Sequence, residues 1–324
     1  MNRLLSLGGV NQAEKDTLGC KPVSPRQPSR IRVPMIEYEF GVPIPGEVLP
    51  EEQWAKTGIK RLPESGPLNW LEIFGREAPV VLDLGCGNGR FTLASAVAHP
   101  EWDHFAIDLL PVVIRYATRR ANQRGLSNVR FAVKDAQTFL TTYVATESVS
   151  QVHIYHPQPF HDHQRAHMRL MTPAFLADVH RVLQPGGHLF LQTDNPDYWA
   201  YIRDVMPVFF AFEARHTPWP ELSEGRSRRE LLGRARGLTI YRGEGVRREN
   251  LSRDDAMAEA ERLPLPTFRT RGPWNELDAE EGEGGPQPGR RPGPRLPGPR
   301  PAGPGGFRPS GPRPRRGPGP GRGT

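Results

Sequence analysis

Residues 80–90 read VVLDLGCGNGR. An apolar run, rich in β-branched and leucine side chains, leads into Gly85-x-Gly87-x-Gly89. Helix-forming residues follow at once, from Phe91 to Pro100 (FTLASAVAHP). Glycines at this spacing let a chain turn sharply out of a strand and bring its backbone close to a ligand. The stretch therefore predicts a strand, a ligand-facing turn and a helix.

Outward from it, short apolar runs alternate with helical patterns. Residues 104–108 (HFAID), 129–135 (VRFAVKD), 151–156 (QVHIYH) and 187–194 (GHLFLQTD) read as strands. Residues 111–125 and 172–183 read as helices. Strands alternating with helices imply a mostly parallel sheet covered on both faces. A later strand-like pair, around 211–215 and 237–243, predicts an antiparallel addition at the sheet edge. The fold class expected is α/β: a Rossmann-like, seven-stranded, mostly parallel sheet with helices on both faces and an antiparallel edge strand.

Three acids fall at the ends of the first three predicted strands. Asp108 stands about 20 residues beyond the glycines, where such folds hold a ribose diol. Asp135-Ala136 ends the third strand, where a carboxylate or its neighbour can meet an adenine amino group. Asp83 lies inside the strand just before the turn. A carboxylate there suits a ligand with an ammonium and no pyrophosphate, and the spacing is not the G-x-G-x-x-G of dinucleotide enzymes. S-adenosylmethionine (SAM) fits all three acids, so the expected cofactor site comprises Asp83, Gly85, Gly87, Asp108, Asp135 and Ala136. Cys86, inside the turn, reads as a small residue without a catalytic role.

Totals bound the rest. The chain has 324 residues, 36% hydrophobic, with 36 Pro and 34 Gly. Two cysteines are too few for a disulfide framework, and no apolar run reaches membrane-spanning length. The expectation is a soluble, cytoplasmic protein with no membrane association. The net charge of +7 is uneven: residues 285–324 carry nine of the 43 basic residues and no acid. Residues 1–284 thus hold 34 basic against 36 acidic residues, a net −2. The same last 40 residues contain 13 Pro and 12 Gly, a composition unable to bury a core. The domain plan expected is a poorly ordered arm over 1–37, a globular domain over 38–265 and a disordered tail over 266–324. The tail reads equally as a cationic arm for RNA phosphates or as a solubilising extension.

After the fourth predicted strand comes HPQPFHDHQRAHMR (156–169). His163 and His167, four apart, have the spacing of a helical metal pair, but no third ligand is evident and no metal is expected. Phe160 reads either as a stacking platform for a base or as a residue packed under the loop. Arg115, Arg119, Arg120 and Arg124 form either an RNA-facing patch or a solvated helical face.

With these residues in view, the chain resembles the bacterial tRNA (guanine-N7-)-methyltransferases, a family within the class I SAM-dependent superfamily. The resemblance rests on GPLNWLEIFGREAPVVLDLGCGNGR (66–90), GLSNVRFAVKDA (125–136), YHPQPFHDHQRAHMRLMTPAFL (155–176), LQPGGHLFLQTDNPDYWAYI (183–202) and SRRELLGRARGLTIYR (227–242). It implies transfer of a methyl group from SAM to N7 of a guanosine in tRNA, in the variable loop. The family's Pro-Asp-Pro-Trp stands here as Pro157-Gln158-Pro159-Phe160, and Asp162 occupies a slot usually held by lysine. His163, Arg165, His167 and Arg169 keep part of the family's basic strip. The Thr-Asp pair is intact as Thr193-Asp194, and Thr-x-x-Glu appears as Ser227-Arg228-Arg229-Glu230. The resemblance implies catalytic roles for Gln158 and Asp194, with Gln158 also near the cofactor. It implies substrate contacts from Asp162, Thr193, Asp194, Ser227 and Glu230. Gln158 keeps an acceptor oxygen but loses a charge. Two other readings stay open: a methyltransferase for another RNA or a small molecule, and an RNA- or SAM-binding relative impaired at Gln158. Monomer and homodimer are equally compatible with the sequence.

Overall fold

A computed structural model describes residues 35–161, 163–270, 272, 273 and 277. An N-terminal hairpin, β1 (Tyr38–Glu39) and β2 (Val42–Pro43), precedes the short helix α1 (Trp70–Phe74). The alternating region then runs β3 (Val80–Leu84), α2 (Arg90–Ala98), β4 (Asp103–Asp108), α3 (Pro111–Gln123), β5 (Val129–Val133), α4 (Ala136–Tyr143) and β6 (Val149–Tyr155). It continues α5 (Pro173–Val182), β7 (Leu183–Thr193), α6 (Pro196–Phe209), β8 (Phe210–Arg215), α7 (Arg228–Ala235), β9 (Tyr241–Arg247) and α8 (Arg253–Arg262).

Every strand and helix expected from the alternation between 80 and 194 is present, with ends shifted by a few residues. Helix starts follow local chemistry. Thr172 and Asn195 accept hydrogen bonds from Phe175 N and Tyr198 N, and a proline follows each cap at the first helical position.

The seven-stranded sheet has the order β5-β4-β3-β6-β7-β9-β8. The first five strands pair in parallel. β9 is antiparallel to both β7 and β8, so β8, at the edge, runs with the parallel set. The antiparallel strand was expected at the edge and lies one place in. The β7–α6–β8 connection crosses over a vacant slot, and the chain returns through α7 to fill it with β9.

Side chains alternate between two cores, as the pleat requires. On β4, Phe105 and Ile107 face the larger core with α4, α5, α6 and α8, while Ala106 faces the smaller one with α2 and α3. The domain also extends past the boundary expected at 265: Pro266, Thr270 and Leu277 are buried. At the other end Met35 bridges to Val48, ahead of the expected start at 38. Residues 1–34 and 278–324, including the Arg-rich tail, lie outside the described residues. Among the described residues, no helix is long and apolar enough to cross a membrane.

Candidate active site

Parallel strands end together, and the ends of β3, β4 and β5 carry six of the seven residues expected at the cofactor; the seventh, Gln158, lies on the loop after β6. Gly85 N and Cys86 N both donate to Ile107 O at 2.9 Å, which folds the turn back across the end of β4. Gly87, with φ +53°, donates its N–H to Asp108 Oδ2 at 2.9 Å. Gly89 has φ +77°, and a Cβ there would stand 2.8 Å from that of Ala117, so helices α2 and α3 approach only over glycine. Asp108 Oδ1 accepts from Leu110 N at 2.9 Å. Asp135 caps α4 by accepting from Thr138 N, and Ala136 is the first residue of that helix. Leu109, Leu110 and Val133 are exposed beside these acids and form an apolar rim.

Asp83 is 3% exposed on the α2 side of the sheet. Thr92, one turn into α2, donates to it at 2.5 Å. Burial, reinforced by the nearby Asp108 and opposed by the Thr92 hydroxyl, pushes its pKa up to about 7. An isolated carboxylate in this place holds a proton near neutrality until a cation arrives. Burial also pushes the Cys86 thiol well up, so Cys86 is protonated and not a nucleophile.

The second half of the site is built on the ends of β6 and β7. His156, with φ +53°, leaves β6 and puts its Nδ1 3.3 Å from Asp194 Oδ1 at the end of β7. Gln158 is exposed and Phe160, with φ +40°, is half-buried under the guanidinium of Arg165. Asp162 lies outside the described residues. Thr193 Oγ1 accepts from Asn195 N and so shapes the turn that presents Asp194.

Asp194 and Glu230 both have arginine partners. Arg229 Nε and Nη2 reach Asp194 Oδ2 at 2.9 and 2.8 Å. Burial opposes ionisation of Asp194, but His156 and Arg229 outweigh it and hold the pKa down to about 2. Glu230, 1% exposed, meets Arg242 Nη2 at 2.5 Å through Oε1, and accepts from Gln192 Nε2 and Arg226 N through Oε2. Its pKa is lowered because these donors overcome burial. Ser227 caps α7 through Glu230 N. Glu230 is thus a hub inside the protein, whereas Asp194 keeps acceptor capacity on Oδ1.

Several basic residues have other work than the sequence suggests. Arg120 and Arg124 are neither RNA-facing nor solvated: both are buried against Glu37 in the N-terminal segment. Arg115 and Arg119 are exposed. Arg169 is 2% exposed and spends its donors on backbone carbonyls, so it leaves the basic strip. Arg165 and His167 remain exposed. No cluster of three metal-ligating side chains occurs among the described residues. A cavity of about 100 Å³ opens between α2 and the segment ahead of α7, lined by Phe91, His153, Phe190 and Arg226, and it is separate from the glycine turn.

The sequence reading passed over Thr92, Arg229, Arg242 and Gln192. An arginine beside each acid was visible for Arg229 alone, in SRRE; the others come from distant elements, and nothing in their local sequence marks them as buried partners.

Residues 77–229 match a family model described as "Putative methyltransferase". A tRNA (guanine-N(7)-)-methyltransferase of Alcanivorax borkumensis is 34% identical over 159 residues, covering 49% of this chain and 66% of that protein. One from Nitrosococcus oceani is 31% identical over 191 residues, 59% of this chain and 80% of that one. One from Chloroflexus aurantiacus is 30% identical over 202 residues, 62% and 88%. The chain thus spans just under two thirds of the Alcanivorax protein and more of the other two. Among solved structures, the 16S rRNA methyltransferase KamB aligns with a TM-score of 0.46 and 16% identity, over 59% of this chain and 98% of that one.

Proposed function

The chain belongs to the tRNA (guanine-N7-)-methyltransferase family, and from that premise we propose that it methylates N7 of a guanosine in tRNA with SAM as the donor. The observation that carries this reading is the His156–Asp194 contact, 3.3 Å, which joins the end of β6 to the end of β7 beside the cofactor half. It sets an ionised carboxylate next to the PQPF loop.

The cofactor half fits SAM on its own chemistry. Asp83 is a buried acid lacking a cation, and an α-ammonium would supply one. Asp108 offers a carboxylate to a ribose diol, and the rim of Leu109, Leu110 and Val133 offers apolar area to an adenine ring. When bound, SAM supplies an electrophilic sulfonium methyl.

The residues of the chain have to align rather than deprotonate. Guanine N7 carries an in-plane lone pair and no proton, so no general base is needed, and alignment dominates the rate. Asp194 accepts from the donor edge of guanine and favours the positive charge that methylation leaves on the ring. Glu230 supports it from below by fixing Arg242 and the start of α7. Gln158, an uncharged acceptor and donor at the loop tip, orients the base with neutral hydrogen bonds. Exposed Arg115, Arg119 and Arg165 serve the phosphates of tRNA.

The test is mass analysis of nucleosides from tRNA incubated with the protein and SAM. N7-methylguanosine is expected. A different methylated nucleoside, or no product although SAM binds, would overturn the reading.

A further inference from the structure

The PQPF loop and the segment 264–270 lie about a hundred residues apart in sequence, and both are rich in proline. Pro157, Pro159, Pro264 and Pro266 have no N–H to offer, so the two segments cannot pair as strands. One side chain joins them instead. Arg169 donates from Nε to Pro159 O at 2.5 Å and from Nη2 to Phe160 O at 3.0 Å. From Nη1 it donates to Pro266 O at 2.5 Å and Phe268 O at 2.9 Å. Its guanidinium also lies 3.9 Å over the Phe268 ring. Four carbonyls share one planar donor, a geometry that an ammonium cannot reproduce.

Two further observations give this junction a role beyond packing. The loop is bracketed by His156 and Phe160, both non-glycine residues with positive φ. Such conformations persist only where the surroundings hold them, and Phe160 O is one of the four acceptors. The same segment also reaches the Asp194 turn. Asn195, which follows Asp194, donates from Nδ2 to Thr270 Oγ1 at 2.7 Å.

We propose that Arg169 is a positioning residue and that residues 264–270 form a strap belonging to the active site. The strap holds the PQPF loop and the Asp194 turn in register with each other and touches neither cofactor nor base. This rests on the methyltransferase reading, so the test has one arm that does not need activity.

In the full-length protein, Arg169→Lys and Phe268→Ala are compared with wild type. Hydrogen exchange should rise together in residues 156–161 and 264–270 of both variants, with the amides of β3 and β4 still protected. SAM affinity should stay within about twofold, while kcat falls, for Arg169→Lys by on the order of a hundredfold. Exchange that rises in one segment alone, wild-type kcat in Arg169→Lys, or SAM affinity lost in step with kcat would each overturn the proposal. A wild-type protein that makes no N7-methylguanosine overturns the methyltransferase reading instead, and the coupled exchange still decides whether the strap exists.

Discussion

Arg229 brings two of its nitrogens onto a single oxygen of Asp194, Nε at 2.9 Å and Nη2 at 2.8 Å, with both side chains buried. The acid proposed to meet the base is therefore half neutralised by its own fold. Its remaining capacity lies on Oδ1, which it shares with His156.

Asp194→Asn keeps the shape and removes the charge that the buried Arg229 guanidinium faces. Breaking such a pair from one side costs about 3–5 kcal/mol. The expected result is a lower denaturation midpoint with an unchanged m value, and loss of N7-methylguanosine formation. The wild-type pH dependence carries the same signature. The folded pKa of about 2 lies below the ordinary 3.8, so the stabilisation is complete above about pH 4 and is lost as pH falls towards 2. Its size is about 2 kcal/mol, and urea titrations across that window should show the stability gap between wild type and Asp194→Asn narrowing by that amount at the acid end.

Glu230→Gln separates support from contact. Glu230 is committed to Arg242, Gln192 and Arg226, so its loss should destabilise the protein by about 3–5 kcal/mol. At a temperature where the variant remains folded, product formed per folded molecule should fall far less than in Asp194→Asn. Equal losses of activity in the two variants, at equal folded fraction, would place Glu230 in contact with the base.

Asp83 makes an opposite pH prediction. Its folded pKa, about 7, lies above the ordinary 3.8, so the cofactor-free fold is favoured by protonation. Stability should fall as pH rises from about 4 to about 7, by about 4 kcal/mol, and stay level above. Asp83→Asn should flatten that fall, raise the melting temperature at pH 8 and weaken SAM binding. Calorimetry of wild type at pH 6.5 in buffers of different ionisation enthalpy should show proton release when SAM binds. No proton release would remove Asp83 from the ammonium site.

Gln158→Asp tests whether the loop tip has lost a charge it can use. An ionised acceptor makes a hydrogen bond roughly twice as strong as a neutral one. The variant should raise kcat on tRNA without changing stability, since Gln158 is exposed. An unchanged or lower kcat would show that the site is tuned to an amide.

Deleting residues 285–324 removes nine arginines and no acid. If the tail neutralises RNA phosphates, log affinity for tRNA against log salt should become shallower, by about 0.7–0.9 for each phosphate no longer neutralised. An unchanged slope would leave the tail without a role in RNA binding.

The cofactor half was legible in the sequence because its chemistry is local. Gly85, Gly87 and Gly89 sit within five residues, Asp83 and Asp108 are the next-to-last and last residues of recognisable strands, and Asp135 stands two residues beyond β5. The base half was only partly legible. Asp194 and Glu230 could be named, but Arg242 and Gln192 come from two different strands, and burial of an arginine leaves no mark on its neighbours in sequence. The same blindness put Arg120, Arg124 and Arg169 on the surface. Their apolar stems and planar heads allow burial wherever carbonyls or acids converge, which is a property of the packed chain.

By itself, then, the sequence determined the alternation of strands and helices, the glycine turn and the set of acids at the strand ends, because periodicity and backbone freedom are read a few residues at a time. The tertiary structure alone decided which acids are paired, how far their pKa values move, where β9 inserts in the sheet and that residues beyond 265 pack against Arg169 and Asn195. Those outcomes depend on burial and on partners far away along the chain, and desolvation acts only once folding has brought them together.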